Sequence, residues 1–139
     1  MARAKSSKSD AIYDMLRKSG LRPTRQRTAL ARILFTGGPR HVTAESLFKE
    51  AKAKRINVSL ATVYNALHDF LDRGLLRDIC VETGKSYFDT NTSDHHHFFY
   101  ERSGKLQDLP VESVRFMGLP ETPSGEKVRR VDVIIRLGR

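Results

Sequence analysis

Four apolar-periodic segments, each bounded by a capping hydroxyl or a glycine, occupy the chain up to Gly74, where the period switches from helical to alternating. Residues 10–19 place Ile12, Met15 and Leu16 at helical spacing, with Ser9 as N-cap and Gly20 past the end. Thr24 opens a second helix whose stripe of Ala29, Leu30, Ile33 and Leu34 stops at Gly37, Gly38 and Pro39. Thr43 opens a third, with Leu47, Phe48 and Ala51 on one face and Lys49, Lys52 and Lys54 on the other. Ser59 opens a fourth, which turns Leu60, Val63, Leu67, Phe70 and Leu71 inward and closes at Gly74. Residues 75–81 and 86–90 then read as two strands around Glu82-Thr83-Gly84-Lys85. Helices followed by such a hairpin predict a winged helix-turn-helix.

Strand patterning returns at residues 95–101 and 105–109, around Ser103-Gly104. A short helix is expected over 111–117 and a last strand over 127–137, where Val131, Val133, Ile135 and Leu137 alternate with Asp132, Ile134 and Arg136. A sheet this small cannot cover both faces alone and is expected to pack on its own copy as a two-fold homodimer. The fold class is thus α+β: an N-terminal winged helix-turn-helix over residues 10–91, then a small α/β dimerisation and sensing domain over 92–139. Residues 1–9, with Arg3, Lys5 and Lys8, read as a flexible basic arm.

Charge divides along the same line. Residues 1–55 hold 14 Lys and Arg against 4 Asp and Glu, a net of +10, whereas residues 94–139 hold 8 against 7. The polyanion-binding surface therefore belongs to the helical half, and double-stranded DNA is the expected partner. The fourth helix leaves Thr62, Asn65 and Asp69 outward with Ala61 and Tyr64 at the flank, a small polar arc suited to the major groove. Arg22, Arg25 and Arg27 surround the start of the second helix and read as phosphate contacts. With their capping residues, the expected DNA-facing set is Arg22, Thr24, Arg25, Ser59, Thr62, Tyr64 and Asn65.

The single cysteine, Cys80, excludes an intramolecular disulfide and a Cys-rich zinc site, and is expected to be a small buried residue of the first wing strand. No apolar run approaches the ~20 residues of a membrane span, and no secretory signal is apparent, so a cytoplasmic location is expected. His95 and His97 share one strand face while His96 points to the other, with Asp94 beside them. Three consecutive imidazoles next to a carboxylate predict a metal site, and without thiolate the donors suit Fe, Mn, Zn or Ni. A metallohydrolase would need a general base and an HExxH-like motif, which the sequence lacks. A non-sensing nucleic-acid protein would leave Asp89, His95, His96 and His97 without a role. The expectation is a regulator, not an enzyme.

Leu21-Arg22-Pro23-Thr24-Arg25-Gln26-Arg27, His41-Val42-Thr43-Ala44-Glu45, Ser59-Leu60-Ala61-Thr62-Val63-Tyr64 and Asp94-His95-His96-His97 with Gly104-Lys105 together resemble the ferric uptake regulator family. The resemblance spans about residues 10–110 and implies a dimeric repressor whose DNA-binding form is favoured by a metal held between winged-helix and dimerisation domains. It implies His41, Asp89, His95 and His97 as ligands of the first site and Asp94, His96 and Glu112 as a partial second site, Arg139 standing about where the last histidine would fall. Tyr100 and Ser103 take the places of a structural zinc cysteine pair, so no structural zinc held by four cysteines is implied. Asn65 stands where members commonly carry arginine; because asparagine favours adenine and arginine guanine, an operator other than the usual iron box is expected. The His cluster, Asn65 and the missing cysteines are most similar to the iron response regulator branch, which implies haem as effector, ligated by histidine alone.

Overall fold

The structure, a computed structural model, describes residues 7–82 and 84–138, and divides into two compact units between Thr92 and Ser93. Residues 1–6 of the expected arm, with Arg3 and Lys5, lie outside the described residues, as do Thr83 of the wing turn and Arg139.

In the first unit, α1 spans Ser7–Lys18, α2 Arg25–Phe35, α3 Ala44–Ala53 and α4 Leu60–Asp72. Because α1 is already helical at Ser7, Ser9 lies inside its first turn rather than capping it. Its C-terminus follows the expected chemistry: Gly20 takes φ +82°, the Gly20 amide donates to the Arg17 carbonyl at 2.9 Å, and the Leu21 amide donates to that of Leu16 at 2.8 Å. Only a residue without Cβ enters that conformation cheaply. The hydroxyls of Thr24, Thr43 and Ser59 accept from the amides of Arg27, Ser46 and Thr62, opening α2, α3 and α4. At α3 the Ser46 hydroxyl accepts from the Thr43 amide in return, completing a capping box.

The inward stripes meet as read. Leu16, Leu30, Leu34, Leu47, Leu67 and Phe70 are fully buried in one cluster, and Phe70 sets its ring edge-on to Phe35 at 5.7 Å. Strands β1 (His41–Val42), β2 (Arg77–Glu82) and β3 (Lys85–Asp89) form an antiparallel sheet in the order β1-β3-β2. β1 was not expected. Two residues are too few for a periodic signal, and pairing with β3 is what makes them a strand. β2 alternates buried Arg77, Ile79 and Val81 with exposed neighbours, so Cys80 faces solvent. The expectation of a buried thiol was wrong because strand parity, not cysteine's usual preference, decides the face.

In the second unit, β4 (His95–Tyr100) lies between antiparallel β5 (Lys105–Pro110) and parallel β6 (Ile134–Leu137). Two expectations fail here. The helix over 111–117 reduces to a 3₁₀ turn at Val111–Ser113, bracketed by Pro110 and Gly118. The last strand reduces to four residues, because only Ile134–Leu137 finds a register on β4, while 127–130, charged at Lys127, Arg129 and Arg130, stays exposed outside the sheet. Phe99 and Leu106 are buried, whereas Phe116, Met117, Leu119 and Val128 are exposed. No described helix is long and apolar enough to cross a membrane.

Candidate metal centre and DNA-facing helix

In the second unit, the β4–β5 register sets Asp108 opposite His97. Cross-strand partners share a face, and so do His95 and His97, two residues apart. The result is a tight donor group: the Asp108 Oδ1 oxygen lies 3.3 Å from His95 Nε2 and 3.5 Å from His97 Nε2, and the two rings stand 4.5 Å apart. His95 Nδ1 lies 2.6 Å from the Ser93 carbonyl oxygen. A carbonyl only accepts, so Nδ1 carries a proton, and Nε2 is the ring atom turned toward the Asp108 carboxylate. A backbone carbonyl that fixes the imidazole tautomer is also the usual support for a metal-ligating histidine.

In the first unit, β1 pairs with β3 so that His41 stands opposite Asp89, and Arg77 of β2 stands opposite Asp89 on the other side. His41 Nε2 is 3.2 Å from Asp89 Oδ2, and the fully buried carboxylate also accepts from the Asn91 amide at 2.9 Å. The entry to β1 is clamped: the Arg40 amide donates to the Thr90 hydroxyl at 2.9 Å, the Thr90 amide donates to the Arg40 carbonyl at 3.0 Å, and the Arg40 guanidinium pairs with Glu50 of α3. His41 therefore has a fixed backbone beneath it.

All four residues expected at the first site occur in these two groups. Asp108 was missed, although counting back from the Ser103-Gly104 turn would have put it across from His97. Asp94, His96 and Glu112 are not brought together: Asp94 and Glu112 are exposed, and no donor cluster among the described residues contains any of the three. His96, 2% exposed, accepts the Val133 amide at Nδ1, 3.1 Å away. Its proton is therefore on Nε2, a buried atom with no hydrogen-bond partner, and Nε2 has no lone pair to offer. Tyr100 and Ser103 serve the hairpin instead, the Tyr100 hydroxyl donating to Gln107 Oε1 and the Ser103 hydroxyl accepting from the Lys105 amide.

On α4, Tyr64 is 37% exposed and Asn65 is also exposed. Ser59 and Thr62 are tied to each other, their hydroxyls 2.9 Å apart, as parts of the helix cap. Arg22 and Arg25 are exposed around the start of α2. Arg27 corrects its expected role. Its guanidinium donates to Asp69 Oδ2 of α4 and to the Arg22 carbonyl, both at 2.7 Å, so it braces α4 against α2 rather than awaiting a phosphate. Sequence reading also missed Glu45, whose Oε2 accepts the Tyr64 hydroxyl at 2.8 Å.

Known proteins resemble the chain in sequence and in fold. Over 94 residues the chain is 39% identical to the peroxide-responsive repressor PerR of Staphylococcus epidermidis, a stretch covering 68% of this chain and 62% of that protein. The corresponding repressor of Staphylococcus aureus is 37% identical over 94 residues, covering 68% of this chain and 63% of its own length. The match thus spans less than two thirds of these relatives. The ferric uptake regulator of Pseudomonas aeruginosa, solved with manganese, superposes with a TM-score of 0.68 at 24% identity, covering 91% of this chain and 96% of that one. That of Vibrio cholerae gives 0.71 at 21% identity, covering 89% and 96%. At these identities the solved structures speak for the fold alone: a mixed α+β chain with a winged-helix and a small sheet unit. The family's sequence profile matches residues 18–119, most of the chain, and on that match the chain belongs to the ferric uptake regulator family.

Proposed function

We propose that this chain is a dimeric DNA-binding transcription repressor whose operator affinity is set by one divalent ion, held by His41 and Asp89 of the helical unit with His95, His97 and Asp108 of the sheet unit. The observation that carries this reading is the convergence of His95 Nε2 and His97 Nε2 on one Asp108 oxygen, at 3.3 and 3.5 Å, with the His95 ring fixed through Nδ1 by the Ser93 carbonyl. When bound, a divalent ion supplies positive charge and a coordination geometry for imidazole and carboxylate donors, with Fe, Mn and Zn all compatible. An ion that took donors from both units would couple metal binding to the spacing of two α4 helices in a dimer. Arg22 and Arg25, with the capped starts of α2 and α4 at Thr24 and Ser59, position the phosphates; Thr62, Tyr64 and Asn65 face the bases. The exposed Phe116, Met117, Leu119 and Val128 favour a second copy of the chain as the cover of the sheet unit.

Haem sensing, the narrower reading drawn from the iron response regulator branch, has less support: His95, His96 and His97 are each no more than 6% exposed, which leaves a porphyrin face no imidazole edge to approach. The test is operator binding by the purified chain with manganese or zinc and with a chelator, using duplexes selected from a random library. Affinity is expected to rise about tenfold or more with metal, within the usual range of coupling between sites. Equal affinity in both conditions would remove the sensing role.

A further inference from the structure

Glu45 puts a negative charge on the most basic part of the chain, beside the helix read as facing DNA. It stands in the first turn of α3, where a carboxylate favours the helix, and its Oε2 accepts the Tyr64 hydroxyl at 2.8 Å. That bond, a backbone hydrogen bond and nearby Lys85 hold the Glu45 carboxyl below the usual carboxylate range. The same bond pushes the Tyr64 phenol up. An ionised carboxylate can only accept, so the phenol must donate its one proton to it. The Tyr64 oxygen keeps its lone pairs and has no hydrogen left for a base.

We propose that Glu45 fixes the polarity of the Tyr64 hydroxyl as an acceptor, so that Tyr64 selects an amino-bearing base, adenine or cytosine, at one operator position. In the major groove adenine N6 and cytosine N4 are donors, whereas thymine O4 and guanine O6 and N7 are acceptors. An acceptor-only phenol meets the first pair favourably and turns lone pairs toward the second. Glu45 is a positioning residue here: it acts through Tyr64, and it trades some phosphate attraction for discrimination. The inference rests on α4 being the groove-facing helix. Tyr64 alone, free to rotate its hydroxyl, could donate or accept and would discriminate little.

Selection from a randomised duplex library, with the full metal-loaded chain, tests this in four forms: wild type, Glu45→Ala, Tyr64→Phe and the double variant. The wild type is expected to enrich adenine or cytosine at one position. Glu45→Ala and Tyr64→Phe should each lower that enrichment about tenfold at the same position, and the double variant should lower it no further. Binding of Glu45→Ala to non-operator duplex should hold or tighten, since a negative charge is gone, and this separates the effect from misfolding. A wild type that selects no sequence overturns the DNA reading and this proposal with it. A preference that Tyr64→Phe alters and Glu45→Ala does not overturns only the proposal. A preference that Glu45→Ala alters and Tyr64→Phe does not also overturns it, and makes Glu45 itself the reader.

Discussion

Changing His97 to alanine is expected to lower the affinity for a divalent ion by about a hundredfold, and Asp108→Ala to do the same, whereas His96→Ala should leave it within about twofold of wild type. The three residues are neighbours on β4 and β5, and hydropathy does not separate them. Strand parity and proton placement do. His97 and Asp108 are cross-strand partners on the face where the Asp108 oxygen also meets His95, while His96 points away and spends its Nδ1 lone pair on the Val133 amide. Removing His96 strips an acceptor from that amide, so its cost, about 1 kcal/mol, falls on stability rather than on metal. Chelator competition with manganese or zinc reads the first effect and thermal melting of the metal-free chain the second. Equal loss of metal affinity in all three variants would mean that His96 also ligates.

Phe70→Ala is expected to cost about 3–5 kcal/mol, the largest effect of any single truncation in the helical unit. The ring is fully buried, reaches Phe35 edge-on at 5.7 Å, and lies on α4 among Leu16, Leu30, Leu34, Leu47 and Leu67. A domain of this size has about 5–15 kcal/mol in total, so the loss would take a large share. The melting temperature should fall by about 12 °C or more. Because α4 also carries Tyr64 and Asn65, operator binding should fail with the fold in this variant, whereas metal-binding variants should fail to respond while melting near the wild-type temperature. A loss below about 1 kcal/mol would mean that this core is packed otherwise.

The helical half was readable because its signals are local. A capping hydroxyl, a period of 3.6 and a glycine each act within one turn, and Thr24, Thr43, Ser59, Gly20 and Gly74 all sit where those signals put them. Ser9 failed for the same reason: a polar residue within the first turn of a helix looks like a cap when the preceding residues are also polar. What depends on pairing was less legible. β1 exists only through β3, and β6 keeps only the residues that find a register on β4. Cys80 was misassigned because residue preference was given more weight than the alternation of its own strand. At the candidate metal centre, the imidazoles announced themselves as a run, but Asp108 looks like any hairpin aspartate until the turn is counted. Arg27 and Glu45 resisted sequence reading most. Each is a charged residue of the basic half whose partner, Asp69 or Tyr64, lies on another helix, and only packing shows that Arg27 braces the structure and Glu45 orients a phenol.

The account depends on one ion coupling the two units to DNA, and coupling between sites is reciprocal: the factor by which metal tightens the operator must equal the factor by which the operator tightens the metal. Measuring manganese affinity by competition with a chelator, with and without saturating operator duplex, tests this most directly. The account predicts an increase of about tenfold or more with operator, equal to the gain in operator affinity with metal and lost together with it in His97→Ala. A manganese affinity unchanged by operator would contradict it.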